Sequence, residues 1–352
     1  MIMCDEILKK CNADCCLVIN SATSFYFTGY NCSNCYIIFA KGKKYYLTDD
    51  RFFAEARELL SDYQVVSISQ ATTYAIIRQI LCDNNCRKLG FDNDIMYSDY
   101  LLLKKELSMF EFVECAKQLQ LLRAIKTEKQ IASIVKAQRI AEKSLNELFK
   151  LVKVGVTERE LAFNLEYIMA KNGSEGVSFE SIIAFAENTA KPHAHQTQKK
   201  LEPNCFITFD IGCKFEGFCS DMTRTVAFGD VDSKMIDIYN TVLLAQQTAI
   251  DKIKAGITCA EADSYSRDVI AQKGYGNYFL HSLGHGVGVE VHEFPRLAQG
   301  SNDILLPNMV VTVEPGIYID GFAGVRIEDM IVVKENGNVN LTTSDKNLII
   351  LR

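Results

Sequence analysis

The feature that most constrains how this chain folds is an internal repeat. KVGVTERELA, beginning at Lys153, and KAGITCAEAD, beginning at Lys254, align without a gap at an offset of 101 residues. Each contains a helix-start signature, Thr157-x-x-Glu160 and Thr258-x-x-Glu261, in which a hydroxyl and a carboxylate satisfy the free N–H groups of a first helical turn. A further box, Thr127-x-x-Gln130, opens the long amphipathic stretch ahead of the first copy. Long helices are expected around 128–152 and 234–253, one before each copy. After each copy comes a polar interval and then an apolar β-hairpin, around 205–228 and 309–333. Helix, helix, hairpin therefore occurs twice, which predicts that residues 124–352 form two related halves packed about a pseudo-two-fold axis.

The stretch before the repeat reads differently. LVIN, YIIFA, KYYLTD, YQVVSI and KLGFD are short apolar or aromatic runs separated by amphipathic stretches such as FFAEARELL and TTYAIIRQIL. Strands alternating with helices predict a small α/β domain with a parallel or mixed sheet. The expected organisation is thus an α/β domain over 1–120 and a second, α+β domain over 124–352. A length of 352 residues suits two domains. With 38 basic against 44 acidic residues there is no cationic excess to neutralise phosphates, so nucleic acid is not an expected partner. No apolar run approaches the roughly 20 residues of a membrane span, and Asp5 and Glu6 stand where a signal peptide needs positive charge. A soluble, cytoplasmic chain is expected. Thirteen cysteines, an odd number in a long chain, suit a reducing compartment. Cys32-x-x-Cys35 with Cys82-x-x-x-Cys86 has the makings of a four-thiolate zinc site; the competing reading puts Cys32 and Cys35 at the start of a buried strand and Cys82 and Cys86 at a helix end.

The two hairpins carry the chemistry. In CFITFDIGCKFEGFCSDMTRTVAF a turn near Lys214–Gly217 sets Asp210 across from Asp221, and in MVVTVEPGIYIDGFAGVRIEDMIVV a turn near Asp320–Gly324 sets Glu314 across from Glu328. Like charges directly opposed on apolar strands repel, so four such carboxylates are a liability unless cations sit among them. The alternative is that one or more of them points to solvent. All five histidines, His193, His195, His281, His285 and His292, fall between positions 193 and 292. His285 lies in SLGHGVGVEVH, where Gly284, Gly286 and Gly288 allow backbone to approach something bound. Two Asp, two Glu and one His make an oxygen-rich set suited to a pair of divalent ions, with Mn²⁺ preferred and Co²⁺, Fe²⁺ or Zn²⁺ as alternatives. From chemistry alone this is a dinuclear metallohydrolase.

DIGCKFEGFCSDMTRT, SLGHGVGVEVHE, TVEPGIY and GVRIED, in this order and spacing, resemble the pita-bread metallopeptidases, and within them the Xaa-Pro aminopeptidases and Xaa-Pro dipeptidases (prolidases). NCYIIFAKGKKYYLTDDRFFAEA is similar to the creatinase-type amino domain that accompanies them. The resemblance implies that Asp210 chelates one ion, that His285 and Glu314 hold the other, and that Asp221 and Glu328 bridge both. It further implies that His193 contacts substrate near the scissile bond, that His292 stabilises the developing oxyanion, and that Glu314 shuttles a proton. Arg326 is placed to neutralise the carboxylates and to contact substrate, Thr223 and Thr225 to supply supporting hydroxyls, and Phe179 to line a pocket for the proline ring. His195 and His281 have weaker claims. Expected partners are short proline-containing peptides and a second copy of the chain, the amino domain aiding dimerisation and narrowing the cleft. Between the two activities the sequence reading leans to the aminopeptidase, with the dipeptidase as the alternative. A non-catalytic binding module of the same fold is disfavoured by the complete ligand set.

Overall fold

Alternation along the first strands sorts one apolar set onto each face of a sheet. Cys16, Val18, Ile37, Phe39 and Tyr46 join one buried layer, and Cys15, Leu17, Ile38, Ala40 and Leu47 the other. These residues belong to the first of two compact units, 1–123 and 124–352, in a computed structural model that describes residues 4–92 and 95–352. The strands are β1 (Cys15–Val18), β2 (Cys35–Ala40), β3 (Lys43–Thr48), β4 (Gln64–Ser67), β5 (Lys88–Phe91) and β6 (Glu111–Glu114), in the order β4-β3-β2-β1-β5-β6. The central pairs are antiparallel and the outer pairs parallel, the mixed α/β arrangement expected. Helices α1 (Cys4–Cys11), α3 (Asp50–Leu59) and α6 (Ala116–Ala124) add Ile7, Ala56 and Leu119 to the first layer. Helices α4 (Thr73–Asp83) and α5 (Tyr97–Glu106) add Ile77 and Leu103 to the second, and α2 (Ser21–Thr28) follows β1.

This sorting removes the four-thiolate zinc site. Cys32 and Cys35 lie in the first layer, Cys86 lies in the second, and Cys82 is exposed, so the sheet separates the thiols. The thirteen cysteines are free thiols. No helix among the described residues is long and apolar enough to cross a membrane.

The second unit shows the repeat. Its first half has α7 (Glu128–Leu148), α8 (Glu158–Lys171), β7 (Ile182–Phe185), β8 (Cys205–Ile211), β9 (Lys214–Phe215), β10 (Phe218–Cys219) and β11 (Met222–Phe228). Its second half has α9 (Ser233–Lys252), α10 (Cys259–Gln272), β12 (Gly284–Gly286), β13 (Glu293–Leu297), β14 (Val310–Val313), β15 (Gly316–Ile319), β16 (Ala323–Arg326), β17 (Asp329–Lys334), β18 (Gly337–Asn340) and β19 (Ile350–Leu351). The sheets run β19-β11-β8-β7 and β13-β12-β14-β17-β18, so β7-β8-β11 and β12-β14-β17 share order and antiparallel sense. Helices α7 and α8 cover the first sheet with Ile140, Leu145, Leu161 and Leu165 against Ile183, Ile207 and Phe209. Each such side chain contributes roughly 1.5–3 kcal/mol on burial. The boxes at Thr127 and Thr157 form reciprocally. At the third, Thr258 accepts from the Glu261 N–H, while the Glu261 carboxylate takes the Tyr265 hydroxyl at 2.6 Å.

Hairpin register carries one correction. The first turn centres on Glu216–Gly217, both at positive φ (48° and 73°), as a two-residue hairpin turn requires. This centre lies one residue beyond the expected one, so Asp210 pairs with Thr223 rather than with Asp221. A one-residue move of the turn slips the pairing by two. Side chains alternate with period two, so Asp221 keeps the face of Asp210 as its diagonal neighbour. In the second hairpin the pairs Val313↔Asp329 and Gly316↔Arg326 flank a gap in the ladder whose continued register sets Glu314 opposite Glu328. Pro315, with no N–H to donate, lies in that gap.

Candidate metal centre

Nine residues expected at the site, Phe179, His193, Asp210, Asp221, His285, His292, Glu314, Arg326 and Glu328, line one cleft of about 620 Å³ in the second unit. His195 and His281 line it too, so every histidine of the chain is there. Asp210 comes from β8, Asp221 from the step into β11, His285 from β12, Glu314 from the end of β14 and Glu328 from the start of β17. The halves of the repeat thus contribute from matching strands.

Asp221, His285 and Glu328 each offer a ligand atom within 4.8 Å of the others. His285 Nε2 lies 3.2 Å from Glu314 Oε1 and 3.6 Å from Asp221 Oδ2, while its Nδ1 faces the Gly286 carbonyl at 3.1 Å. With Nδ1 on that carbonyl, Nε2 is the ring nitrogen that faces the cleft carboxylates. Thr312 Oγ1 accepts from the His285 N–H at 3.1 Å and donates to Glu314 Oε1 at 3.2 Å. Thr223 Oγ1 donates to Glu328 Oε2 at 2.8 Å. Thr225 holds the Arg326 backbone at both N–H and carbonyl.

Arg326 is 4% exposed, and its guanidinium is spent on protein groups. It donates to Asp210 Oδ2 at 2.5 Å, to Thr223 Oγ1 at 3.0 Å, to Tyr318 Oη at 2.7 Å and to the Pro192 carbonyl at 3.1 Å. On the opposite face of β11 the fully buried Arg224 donates to the Glu328 carbonyl at 2.6 Å and pairs with Asp329 at 2.8 Å. Glu328 is therefore held from behind as well as from the side.

The electrostatics mark the cluster as incomplete without a cation. Burial raises Asp210, and it raises Asp221 and Glu328 well above the ordinary carboxylate range, with neighbouring carboxylates adding to it. Burial also acts to raise Glu314, but the hydrogen bond and charge of His285 outweigh it and hold Glu314 down to about 2. Burial opposes protonation of His285, and Glu314 reverses this, so its imidazole is raised. His281 and His292 are lowered, chiefly by burial. Asp210 Oδ1 is buried with no hydrogen-bond partner, an open acceptor on the cleft wall. Oxygen ligands, one imidazole and buried like charges fit divalent cations, which relieve that repulsion.

Two further observations correct or extend the sequence reading. A Cβ on Gly284 would strike the Thr312 carbonyl, on Gly286 the Phe294 carbonyl, and on Gly288 the Glu293 side chain. Adjacent backbone and side chains of the protein itself already demand glycine at these three positions. Arg296 on β13 was not singled out, yet it pairs across the ladder with His285 and lines the cleft from an exposed position. Tyr318, which links Arg326 to His281 Nε2 at 2.9 Å, was also missed. Neither carries a local signal, because both depend on which strands become neighbours.

Comparison with known proteins agrees with this architecture. The metallopeptidase family M24 model matches residues 132–335, and the creatinase/prolidase N-terminal domain model matches residues 4–125. A solved Xaa-Pro dipeptidase from Bacillus anthracis superimposes with a TM-score of 0.94 at 36% identity, covering 99% of this chain and 100% of that one. An X-Pro aminopeptidase from Thermotoga maritima superimposes with a TM-score of 0.90 at 32% identity, covering 98% and 100%. The Xaa-Pro dipeptidase of Pyrococcus horikoshii is 41% identical over 263 residues, 75% of each chain. The chain belongs to metallopeptidase family M24, with a creatinase-type amino-terminal unit and a pita-bread unit, and it is a hydrolase.

Proposed function

We propose that this metallopeptidase is an Xaa-Pro dipeptidase, cleaving the bond before proline in dipeptides. Relatives named as Xaa-Pro dipeptidases favour this over the aminopeptidase reading that the sequence suggested. The observation that carries it is Arg296. A dipeptidase needs a cation for the free carboxylate of its substrate, at a fixed distance from the reacting atoms. Residues opposed on antiparallel strands share a face with Cβ atoms ~4.5–5.5 Å apart, so Arg296 stands beside His285 on the cleft wall. Arg326, the other arginine of the cleft, is consumed internally, which suits neutralising carboxylates rather than meeting substrate.

Asp210, Asp221, His285, Glu314 and Glu328 would hold two divalent ions, Mn²⁺ by ligand hardness. Bound there, the ions would polarise the scissile carbonyl and make a water nucleophilic near neutral pH. Around them, among the cleft-lining residues, Glu314 would move a proton, His292 would donate to a developing oxyanion and His193 would contact the scissile peptide. Phe179 packs beside Gly212 and offers an apolar wall for the proline ring. The reading includes a homodimer acting on short peptides.

A paired assay in Mn²⁺ tests this. Xaa-Pro, its C-terminal amide and Xaa-Pro-Yaa would be compared for the wild type and for Arg296→Gln. Expected is a preference for free Xaa-Pro that Arg296→Gln weakens about 10–100-fold in kcat/KM, one lost charge-assisted contact. Faster cleavage of Xaa-Pro-Yaa, unaffected by Arg296→Gln, would restore the aminopeptidase reading.

A further inference from the structure

Glu158, the first residue of α8, is 0% exposed. Four donors converge on it. Oε1 accepts from the Phe185 N–H at 2.8 Å and from Asn188 Nδ2 at 2.9 Å; Oε2 accepts from the Thr197 N–H at 2.9 Å and from Thr197 Oγ1 at 2.6 Å. One carboxylate thus ties together the start of a helix, the end of β7 with the turn after it, and the loop 191–199. That loop has no helix or strand of its own, yet it carries His193 and His195 to the cleft wall. Its other ties are spread along it, most of them single bonds: Lys191 to Asn188, Arg326 to the Pro192 carbonyl, Gln196 to the Ser181 carbonyl, the Arg159 N–H to the Thr197 carbonyl, the Glu158 N–H to the Lys199 carbonyl, and Lys199 to Glu187. A buried carboxylate is costly unless fully hydrogen-bonded, and a helix N-terminus favours negative charge.

The repeat supplies an internal comparison. At the offset of 101 residues, the counterpart of Glu158 is Cys259, also fully buried. The helix–helix–hairpin scaffold is therefore built once without a carboxylate there. In the second half a different buried acid does similar work: Asp263 accepts from the Leu283 N–H at 2.9 Å and pairs with Arg267, which donates to the Phe279 and His281 carbonyls. Each half thus anchors its own histidine-bearing segment by its own residues. The anchor belongs to the loop it serves, not to the shared scaffold.

We propose that Glu158 is a positioning residue for His193, holding the 191–199 loop so that the imidazole faces the substrate. This rests on the peptidase reading of the cleft. The test is a double-mutant cycle of Glu158→Gln and His193→Ala in the Mn²⁺-loaded full-length chain, with kcat, KM and bound metal measured. Gln is isosteric but turns an amide group toward donors. Expected for Glu158→Gln is a kcat about 10–100-fold lower with wild-type metal content, the size of loss that small misplacement causes. In the His193→Ala background the same change should cost less than about threefold, because the group it positions is gone. A fold-change undiminished in that background, or full kcat in folded Glu158→Gln, overturns the proposal. Should Glu158→Gln fail to fold, Thr197→Val removes one of the four donors to Glu158, together with the acceptor of the Lys199 N–H, and should show the same coupling at a smaller size, about 3–10-fold in kcat. A wild type that is inactive on Xaa-Pro substrates sinks the functional reading instead. Hydrogen exchange then decides the anchor: amides 193–199 exchange faster in Glu158→Gln, or the anchor is wrong as well.

Discussion

At the scale of single residues, the site is a balance of buried charges in which one arginine faces four carboxylates. Arg326 compensates Asp210 directly and reaches Glu328 through Thr223, which leaves Asp221 with the His285 imidazole at 3.6 Å and the second Asp210 oxygen with no hydrogen-bond partner. Asp221→Ala or Glu328→Ala should therefore abolish hydrolysis and sharply lower metal content, read by metal analysis and a Mn²⁺ assay; full activity with full occupancy would sink the dinuclear assignment. His193→Ala should behave oppositely, with turnover about 10²–10⁴ lower and metal content nearly unchanged. Loss of metal in that variant would mean that His193 is a ligand. The acids and histidines were legible as residue types in the sequence. Their charge balance was not, because Arg296 and Tyr318 enter only through strand pairing.

At the scale of elements, the helix starts were readable because a capping box is a local pattern with a local cause. Thr157→Ala should cost about 1 kcal/mol of stability, seen in denaturant unfolding. The Glu160 half of the box adds a pH dependence. The Thr157 N–H and hydroxyl hold Glu160 below its ordinary value of 4.5. Its folded pKa is thus depressed, so its stabilisation is present above about pH 4.5 and fades as pH falls through the folded value. The difference in Tm between the wild type and Glu160→Ala should stay constant near neutrality and close in acid; a gap that widens in acid would reverse the sign. Both hairpins were readable as elements, and the second in its pairing of Glu314 with Glu328, but the first was not readable in register. Glu216 and Gly217 together take the positive φ that centres the first turn, and nothing in KFEGF marks that centre against its neighbour.

At the scale of the whole molecule, the second unit holds every proposed ligand and its own buried core. A fragment starting at Ala124 should bind two metal ions per chain while losing dimerisation and selectivity for peptide length, as light scattering and metal analysis would show. A fragment that stays dimeric with the full-length substrate range would assign the amino unit another task. What the sequence by itself determined was the repeat, the helix starts, the two acidic hairpins and the mixed sheet of the amino unit. All of these arise from periodicities and capping chemistry within a few residues of chain. Tertiary structure decided the rest. It put Asp210 beside Thr223, set Arg296 opposite His285, tied Glu158 to Thr197 across 39 positions, and gave the glycines around His285 to neighbouring strands. The physical reason is common to all four. Each depends on which backbone lies 4.7–5 Å or one hydrogen bond away, and that neighbour is chosen by the packing of whole sheets and helices rather than by adjacent sequence.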